Sequence, residues 1–169
     1  MKSSNPAKLA GLLMALTFAS PLRAQAPVRP ASALAVAAEN RTAVAAAARG
    51  AKRADASVHA GDVLRYKLTF TNTVGRPVRQ VAIQNPVASG LQFVAGSAQS
   101  SRQDARAEYS VDNGVSWSTR PMETVMIDGK RIERAIAAER YTSVRWIVDG
   151  WVPPGATVTA QFEARLATR

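Results

Sequence analysis

Positively charged side chains at alternating positions are the residues of this sequence best suited to bind a ligand. Arg65 and Lys67 belong to one alternating stretch and Arg145 to another, while Lys130 and Arg131 are adjacent to each other between these stretches. If the five side chains converge, they would attract anionic polysaccharide, lipid headgroups or nucleic acid. The alternative is a generally basic surface that aids solubility. No aromatic-studded RNA-binding signature accompanies them, so specific nucleic-acid binding is not expected.

Acid–base or nucleophilic chemistry would have to use the single histidine, His59. Ser57 or Ser89 would be the nucleophile and Asp62 the group that orients the imidazole. Neither serine lies in a Gly-x-Ser-x-Gly motif, and His59 falls in a short loop that leads into a strand. We therefore predict that the chain is not an enzyme, with a hydrolase built around His59 as the minor alternative.

The composition also argues against a metal or a cofactor. With no cysteine in the chain, thiolate zinc sites and iron–sulfur clusters are excluded, and one histidine excludes most imidazole-based sites. Asp112-Asn113-Gly114 lacks the spaced oxygen ligands and the terminal glutamate of a calcium loop, so a tight turn is expected there. No glycine-rich phosphate loop is present. We predict no cofactor and no metal.

The first residues have the pattern of a secretory signal peptide. Lys2 and Lys8 provide a positive start, an apolar run follows from Leu9 to Phe18, and Ala24-Gln25-Ala26 offers small residues for cleavage. A buried amino-terminal helix would leave the two lysines unexplained. The apolar run is about half of the ~20 residues that span a bilayer. We therefore predict a signal peptide over residues 1–24, cut between 24 and 26, and no transmembrane anchor in the mature chain.

Cleavage changes the charge that matters for binding. Removal of residues 1–24 takes away Lys2, Lys8 and Arg23, which leaves 145 of the 169 residues and lowers the formal net charge from +10 to +7. The product would be exported across the inner membrane to the periplasm or cell envelope, or alternatively outside the cell.

Strands must position these side chains, because apolar residues alternate with polar ones. Leu64, Tyr66, Leu68 and Phe70 would face one way and the residues between them the other, and the same period recurs near the carboxyl end. The final strand carries its apolar residues at Val158, Ala160, Phe162 and Ala164. The shorter candidates are Val78 to Gln84, Leu91 to Ala95, Ala107 to Val111, Met122 to Ile127 and Ser143 to Val148. Several short strands with turn signals between them predict an all-β, immunoglobulin-like antiparallel β-sandwich over residues 57–169.

Residues 27–56 form an alanine-rich leader whose structure the sequence leaves open. Helix propensity favours a helix from about Ala33 to Arg49 with Gly50 as its stop. Against this, Leu34 and Val36 alternate as in a strand. A first strand, a helix and a flexible linker all remain as alternatives.

Four stretches together resemble a known family. The first is Gly61-Asp62 with the aromatic strand that ends at Asn72-Thr73-Val74-Gly75, and the second is the segment from Val81 to Ser97. The third runs from Tyr109 to Gly114 and is followed by Trp117. The fourth runs from Val144 to Ile147 and is followed by Pro154-Gly155-Ala156 and by Val158 to Phe162. In this order and spacing the chain resembles the bacterial cell-envelope family called domain of unknown function eleven. The resemblance covers roughly residues 60–166, with a first strand from 33 as well. Asn85 stands where many members have Asp, and Val74 interrupts the Asn-Thr-Gly turn.

The resemblance implies an immunoglobulin-like spacer or adhesion module of secreted and surface proteins. We accordingly expect an exported, non-enzymatic structural or binding module of the bacterial cell envelope, with a basic-surface binder of anionic polymers as the alternative. Its partner would be an envelope protein or an anionic polysaccharide. Exposed edge strands would also permit pairing with a partner chain, and the oligomeric state stays open.

Overall fold

A computed structural model of the chain describes residues 33–51 and 57–168. The predicted signal peptide and its cleavage site lie outside these residues. The strands are β1 (Leu34–Asn40), β2 (Val63–Thr71), β3 (Val81–Pro86), β4 (Leu91–Phe93), β5 (Gln99–Ser100), β6 (Ala105–Ser110), β7 (Met122–Ile127), β8 (Lys130–Ala135), β9 (Ser143–Val148) and β10 (Thr157–Leu166). One α-helix, α1 (Arg41–Ala48), and a 3₁₀ turn at Ala138–Arg140 complete the described elements.

The first sheet is antiparallel and has β2 and β10 at its centre. Its strand order is β1-β2-β10-β4, and β5 also pairs with β10. Leu68 on β2 lies opposite Ala160 on β10, and both are buried. Phe162 and Ala164 are buried on the same face of β10, while the residues between them are partly exposed. The alternation in the sequence therefore places the side chains of the final strand correctly.

The second sheet is also antiparallel and has the order β3-β9-β6. Val144, Trp146 and Val148 on β9 are buried, and Arg145 between them is directed to the opposite face. Among the described residues, β7 and β8 pair with each other alone and form a separate hairpin. Its two-residue turn, Asp128-Gly129, has φ values of 50° and 75°, the positive values that a tight two-residue hairpin turn requires.

Both sheets contribute side chains to one hydrophobic core. Leu68, Phe93 and Phe162 of the first sheet belong to the same buried cluster as Ile83 and Trp146 of the second. The rings of Phe162 and Trp146 lie 6.4 Å apart, and those of Phe93 and Phe162 lie 5.9 Å apart. Each fully buried side chain of this size contributes about 1.5–3 kcal/mol through removal of its apolar surface from water. The all-β, antiparallel prediction is confirmed.

The alanine-rich leader contains both a strand and a helix. Residues 34–40 form β1 along the free side of β2, and α1 follows immediately. The side-chain oxygen of Asn40 accepts a hydrogen bond from the backbone N–H of Ala43, which starts the helix at a standard N-cap. The helical alternative is wrong over 34–40, because pairing with β2 outweighs the helix propensity of alanine. The first sheet thus begins before residue 57.

The predicted strand from Val78 starts later than expected, at Val81. Val78 makes an isolated bridge with Val152, and Gln80 has a φ of 53° that interrupts the extended backbone. The strands β5 and β8 were not among the sequence-predicted candidates. All six residues of β8 are exposed, so neither face of this strand packs on the core. Its sequence therefore lacks the alternation of apolar and polar residues that predicts a strand.

Candidate functional site

The five predicted basic residues lie at three separate places. Arg65 and Lys67 are on the outer face of the first sheet, and Arg145 is on the outer face of the second. Lys130 and Arg131 lie on β8 of the hairpin. Since the two sheets cover a common core, their outer faces point away from each other. The structure does not bring the five residues together into one surface.

Lys67 lies in a row of uncharged side chains on the first sheet. The register places Ala37 opposite Lys67 on one side, Gln161 on the other side, and Gln99 beyond Gln161. Lys67 is exposed, and within residues 33–51 and 57–168 it has no ion-pair partner. The small side chain of Ala37 leaves space beside the ammonium group. Lys67 is therefore a cation available to an external anion.

A shallow polar groove runs beside Lys67. It has a volume of about 190 Å³, and its walls include Ser101 and Thr159. The Gln161 side chain donates a hydrogen bond from Nε2 to Gln99 Oε1 over 2.7 Å, and this bond does not use the Gln161 oxygen or the Gln99 amino group. A neighbouring cleft of about 320 Å³ shares Lys67 and Gln161 and extends to β1. The surface thus offers one positive charge with several hydrogen-bonding groups around it.

Arg65 belongs to the next row of the same face and is neutralised there. Its register neighbours are Glu39 and Glu163. Arg65 Nη2 lies 2.8 Å and Nε 3.2 Å from Glu163 Oε1. A partly exposed pair of this kind contributes about 0–1 kcal/mol to stability. It does, however, remove most of the attraction that Arg65 would have for an external anion.

Arg145 on the second sheet is also paired, and it is covered as well. Arg145 Nη2 lies 2.6 Å from Glu108 Oε2, and Arg106 Nε lies 3.0 Å from the other oxygen of the same carboxylate. The guanidinium carbon of Arg145 is 4.4 Å from the centre of the Trp117 ring, a cation–π contact. Burial raises the pKa of Glu108, but hydrogen bonds from Arg145 and Arg106 outweigh this effect and hold that pKa below its ordinary value. Arg145 is a packing residue in this structure.

Trp117 is held in place by the loop that follows β6. The Ser110 hydroxyl donates to Asp112 over 2.6 Å, and the backbone N–H of Ser116 donates to the same carboxylate over 2.9 Å. The Ser110 and Ser116 hydrogen bonds lower the pKa of Asp112 to about 2. Trp117 Nε1 donates to the carbonyl of Gly114 over 3.0 Å. The Asp112 carboxylate therefore organises a tight turn, the structure that the sequence favoured over a calcium loop.

Lys130 and Arg131 are exposed but lie among acids. The hairpin carries Glu123, Asp128 and Glu133, which together match the charge of Lys130, Arg131 and Arg134. Glu123 accepts hydrogen bonds from Arg134 over 2.9 Å and from Arg140 over 2.5 Å. The hairpin is thus a weaker attractor of anions than its two adjacent cations suggest.

Asp62 is the group that a hydrolase would need beside His59, but its contacts give it a structural role. It is 2% exposed. One of its oxygens accepts hydrogen bonds from Asn40 Nδ2 over 2.8 Å and from the backbone N–H of His59 over 3.0 Å. These contacts fasten the end of β1 to the turn before β2.

Sequence reasoning missed the importance of Trp117, Gln99 and Gln161. Trp117 follows the Asp112-Asn113-Gly114 turn, which was the signal available for it. The Gln99–Gln161 pair depends on a strand pairing between distant segments. Trp151 is 59% exposed, and the guanidinium carbon of Arg79 lies 5.4 Å from the centre of its ring.

Three further observations concern metal binding, membrane-spanning helices and similarity to known proteins. In the described part of the chain, no three side chains of the metal-binding types lie close enough to hold an ion. Across the same residues, no helix has both the length and the apolar character to cross a membrane. No family model, curated protein or solved structure matched the chain.

Proposed function

We propose that the chain is an exported, non-enzymatic, immunoglobulin-like β-sandwich that serves as a binding module of the bacterial cell envelope. Its ligand would be an anionic envelope polymer, bound on the outer face of the first sheet. The observation that carries this proposal is the row of Lys67, Gln161 and Gln99 beside a polar groove. The two antiparallel sheets with a shared core, and the resemblance to an envelope domain family, support the sandwich assignment.

The chemistry of the groove suits a chain of hydroxyl and acidic groups. Lys67 supplies a point charge, the amides of Gln99 and Gln161 supply one donor and one acceptor, and Ser101 and Thr159 also line the groove. A single exposed cation gives weak attraction that salt screens over a Debye length of about 10 Å at 0.1 M. The remaining positive charge of the exported chain would raise the rate of encounter with an anionic polymer.

A second candidate is a structural or adhesion module that pairs with a partner protein through β1. This strand lies at the end of the first sheet, and six of its seven residues are exposed. Leu34 and Val36 are 37% and 50% exposed although they point to the same side as the buried Leu68. An uncovered edge of this kind accepts an added strand.

The direct test is retention on immobilised heparin, a sulfated polymer that stands in for an anionic envelope polysaccharide. We expect the protein to be retained at low salt and Lys67→Ala to elute at clearly lower salt. Lys130→Ala is the matched control, because it removes the same charge from the hairpin, and it should elute close to the wild type. Absence of retention at low salt, or equal shifts in both variants, would contradict the proposal.

Export is tested separately by the mass of the protein recovered from the periplasm of a bacterial host. We expect a product that starts after residue 24, 25 or 26. Recovery of the full-length chain in the cytoplasm alone would contradict export without affecting the heparin result.

A further inference from the structure

We propose that the outer face of the second sheet carries a subsite for one neutral sugar ring, in the cleft between β3 and the loop that carries Trp117. The cleft has a volume of about 240 Å³ and is lined by uncharged residues, among them Gln84, Pro86, Asn113, Trp117 and Ser143. It is separate from the Lys67 groove and does not depend on the function proposed for that groove.

Trp117 provides the apolar wall of the subsite. One face of a pyranose ring presents C–H groups, and an indole ring offers a flat apolar surface of matching size. The ring is already fixed by its hydrogen bond to Gly114 and by the guanidinium of Arg145. Because Trp117 is ordered before a ligand arrives, binding loses little side-chain entropy.

Polar groups without partners surround this ring. Ser143 is 7% exposed, lines the cleft, and has no side-chain hydrogen bond to any residue in 33–51 or 57–168. The amide groups of Gln84 and Asn113 likewise make no hydrogen bond to the described residues, and both are exposed. The Ser143 hydroxyl lines the cleft and is not committed to a protein partner, so it can donate to or accept from a ligand hydroxyl. Amide side chains supply both donors and acceptors, as sugar hydroxyls require.

The electrostatics of the cleft favour a neutral ligand. Arg145 is engaged by Glu108 and stacked against Trp117, and the oxygens of Asp112 already accept several hydrogen bonds from their own loop. No charged side chain is among the lining residues of the cleft. Clefts that hold drug-sized ligands have volumes of about 300–1,000 Å³, and this cleft is smaller. One sugar ring therefore fits it better than a long oligosaccharide. For a ligand of this size we expect a Kd on the order of 1 mM.

The test is an NMR titration of the ¹⁵N-labelled protein with the methyl glycosides of glucose, galactose and N-acetylglucosamine. At least one of them should shift the Trp117 indole N–H signal and the backbone signals of Asn113 and Ser143. These shifts should persist at high salt and in Lys67→Ala, which separates this subsite from the anionic groove. The subsite is wrong if none of the three sugars shifts these signals, or if the shifts map elsewhere.

Variants test the polar contribution without removing the indole, since loss of Trp117 would also expose Arg145. Gln84→Ala should weaken binding of the sugar at least about fivefold, the loss of one hydrogen bond of about 1 kcal/mol. Gln92→Ala removes an exposed glutamine from β4 on the first sheet and should leave the affinity unchanged. Equal affinity in Gln84→Ala and the wild type would contradict the assignment.

Discussion

The outer faces of the two sheets place cations at equivalent positions but leave them in different chemical states. Lys67 and Arg145 both lie on a central strand and both point away from the core. The row through Lys67 is completed by Ala37 and Gln161, whereas the row through Arg145 is completed by Gln84 and Glu108. The presence of one acid, Glu108, in the row of Arg145 therefore explains why Arg145 is used in packing while Lys67 stays open to ligands.

The adjacent row on the first sheet supports the same rule. Arg65 lies only two residues from Lys67 on the same face, but its neighbours are Glu39 and Glu163. Opposite charges at directly opposed positions of neighbouring strands attract each other, so the pair neutralises its own charge. Charge at a strand position thus indicates a binding site only when the cross-strand neighbours are known.

Removal of the acid from the second sheet should have the largest effect on stability. Glu108→Gln leaves Arg145 without its carboxylate and Arg106 with Asp149 alone, and the Glu108 side chain is only 12% exposed. We expect the free energy of unfolding to fall by about 1–3 kcal/mol, because a charged hydrogen-bonding group loses its partner in a mostly buried site. Urea denaturation measures this change.

Glu163→Gln is the matched control on the first sheet. Its pair with Arg65 is more exposed, so the loss should stay below about 1 kcal/mol. Glu108→Gln should also increase retention on heparin, since it frees Arg145 while Arg106 keeps its pair with Asp149. Equal destabilisation by the two variants would show that the two faces do not differ as described.

The next largest effect should come from a fall in pH, which should destabilise the loop that holds Trp117 beside the second sheet. The pKa of Asp112 is lowered to about 2 in the folded chain, against about 3.9 for a free aspartate. Its contribution to stability is therefore fully present above about pH 4 and is lost as the pH falls through about 2. The NMR signal of the Trp117 indole should follow this range, and in Asp112→Asn its acid dependence should vanish. A midpoint near pH 4 in the wild type would contradict the arrangement.

An acid introduced beside Lys67 should change binding with little effect on stability. Ala37→Glu places a carboxylate opposite Lys67 at an exposed position, so the free energy of unfolding should change by no more than about 0.5 kcal/mol. Retention on heparin should fall as in Lys67→Ala. Ala82→Glu, which adds the same charge to the outer face of the second sheet, is the control and should reduce retention less. Equal losses would mean that only the net charge matters.

The strands could largely be predicted from the sequence, because alternation records burial directly. β7 and β9 have the predicted bounds, and the buried face of β10 is the one that its apolar residues indicated. β1 could not be settled in this way, since alanine suits a helix as well as an edge strand and only the pairing with β2 decides between them.

The candidate site could be predicted only in part. Lys67 was identified from its phase on β2, but so was Arg65, and nothing local distinguishes them. The neighbours that do distinguish them come from β1 and from β10, and β10 is more than ninety residues away in the chain. Trp117 and Glu108 reach Arg145 through the loop after β6 and the β6–β9 pairing, which the strand pattern alone does not specify.

The central claim is that the first sheet binds anionic polymers and the second does not, and an NMR titration tests it most directly. ¹⁵N-labelled protein would be titrated at low salt with a heparin-derived oligosaccharide. We predict shifts that cluster at Lys67, Gln99, Thr159 and Gln161, disappear at high salt, and leave the signals of Glu108 and Arg145 in place. Shifts centred on Arg145, or spread evenly over both sheets, would contradict it.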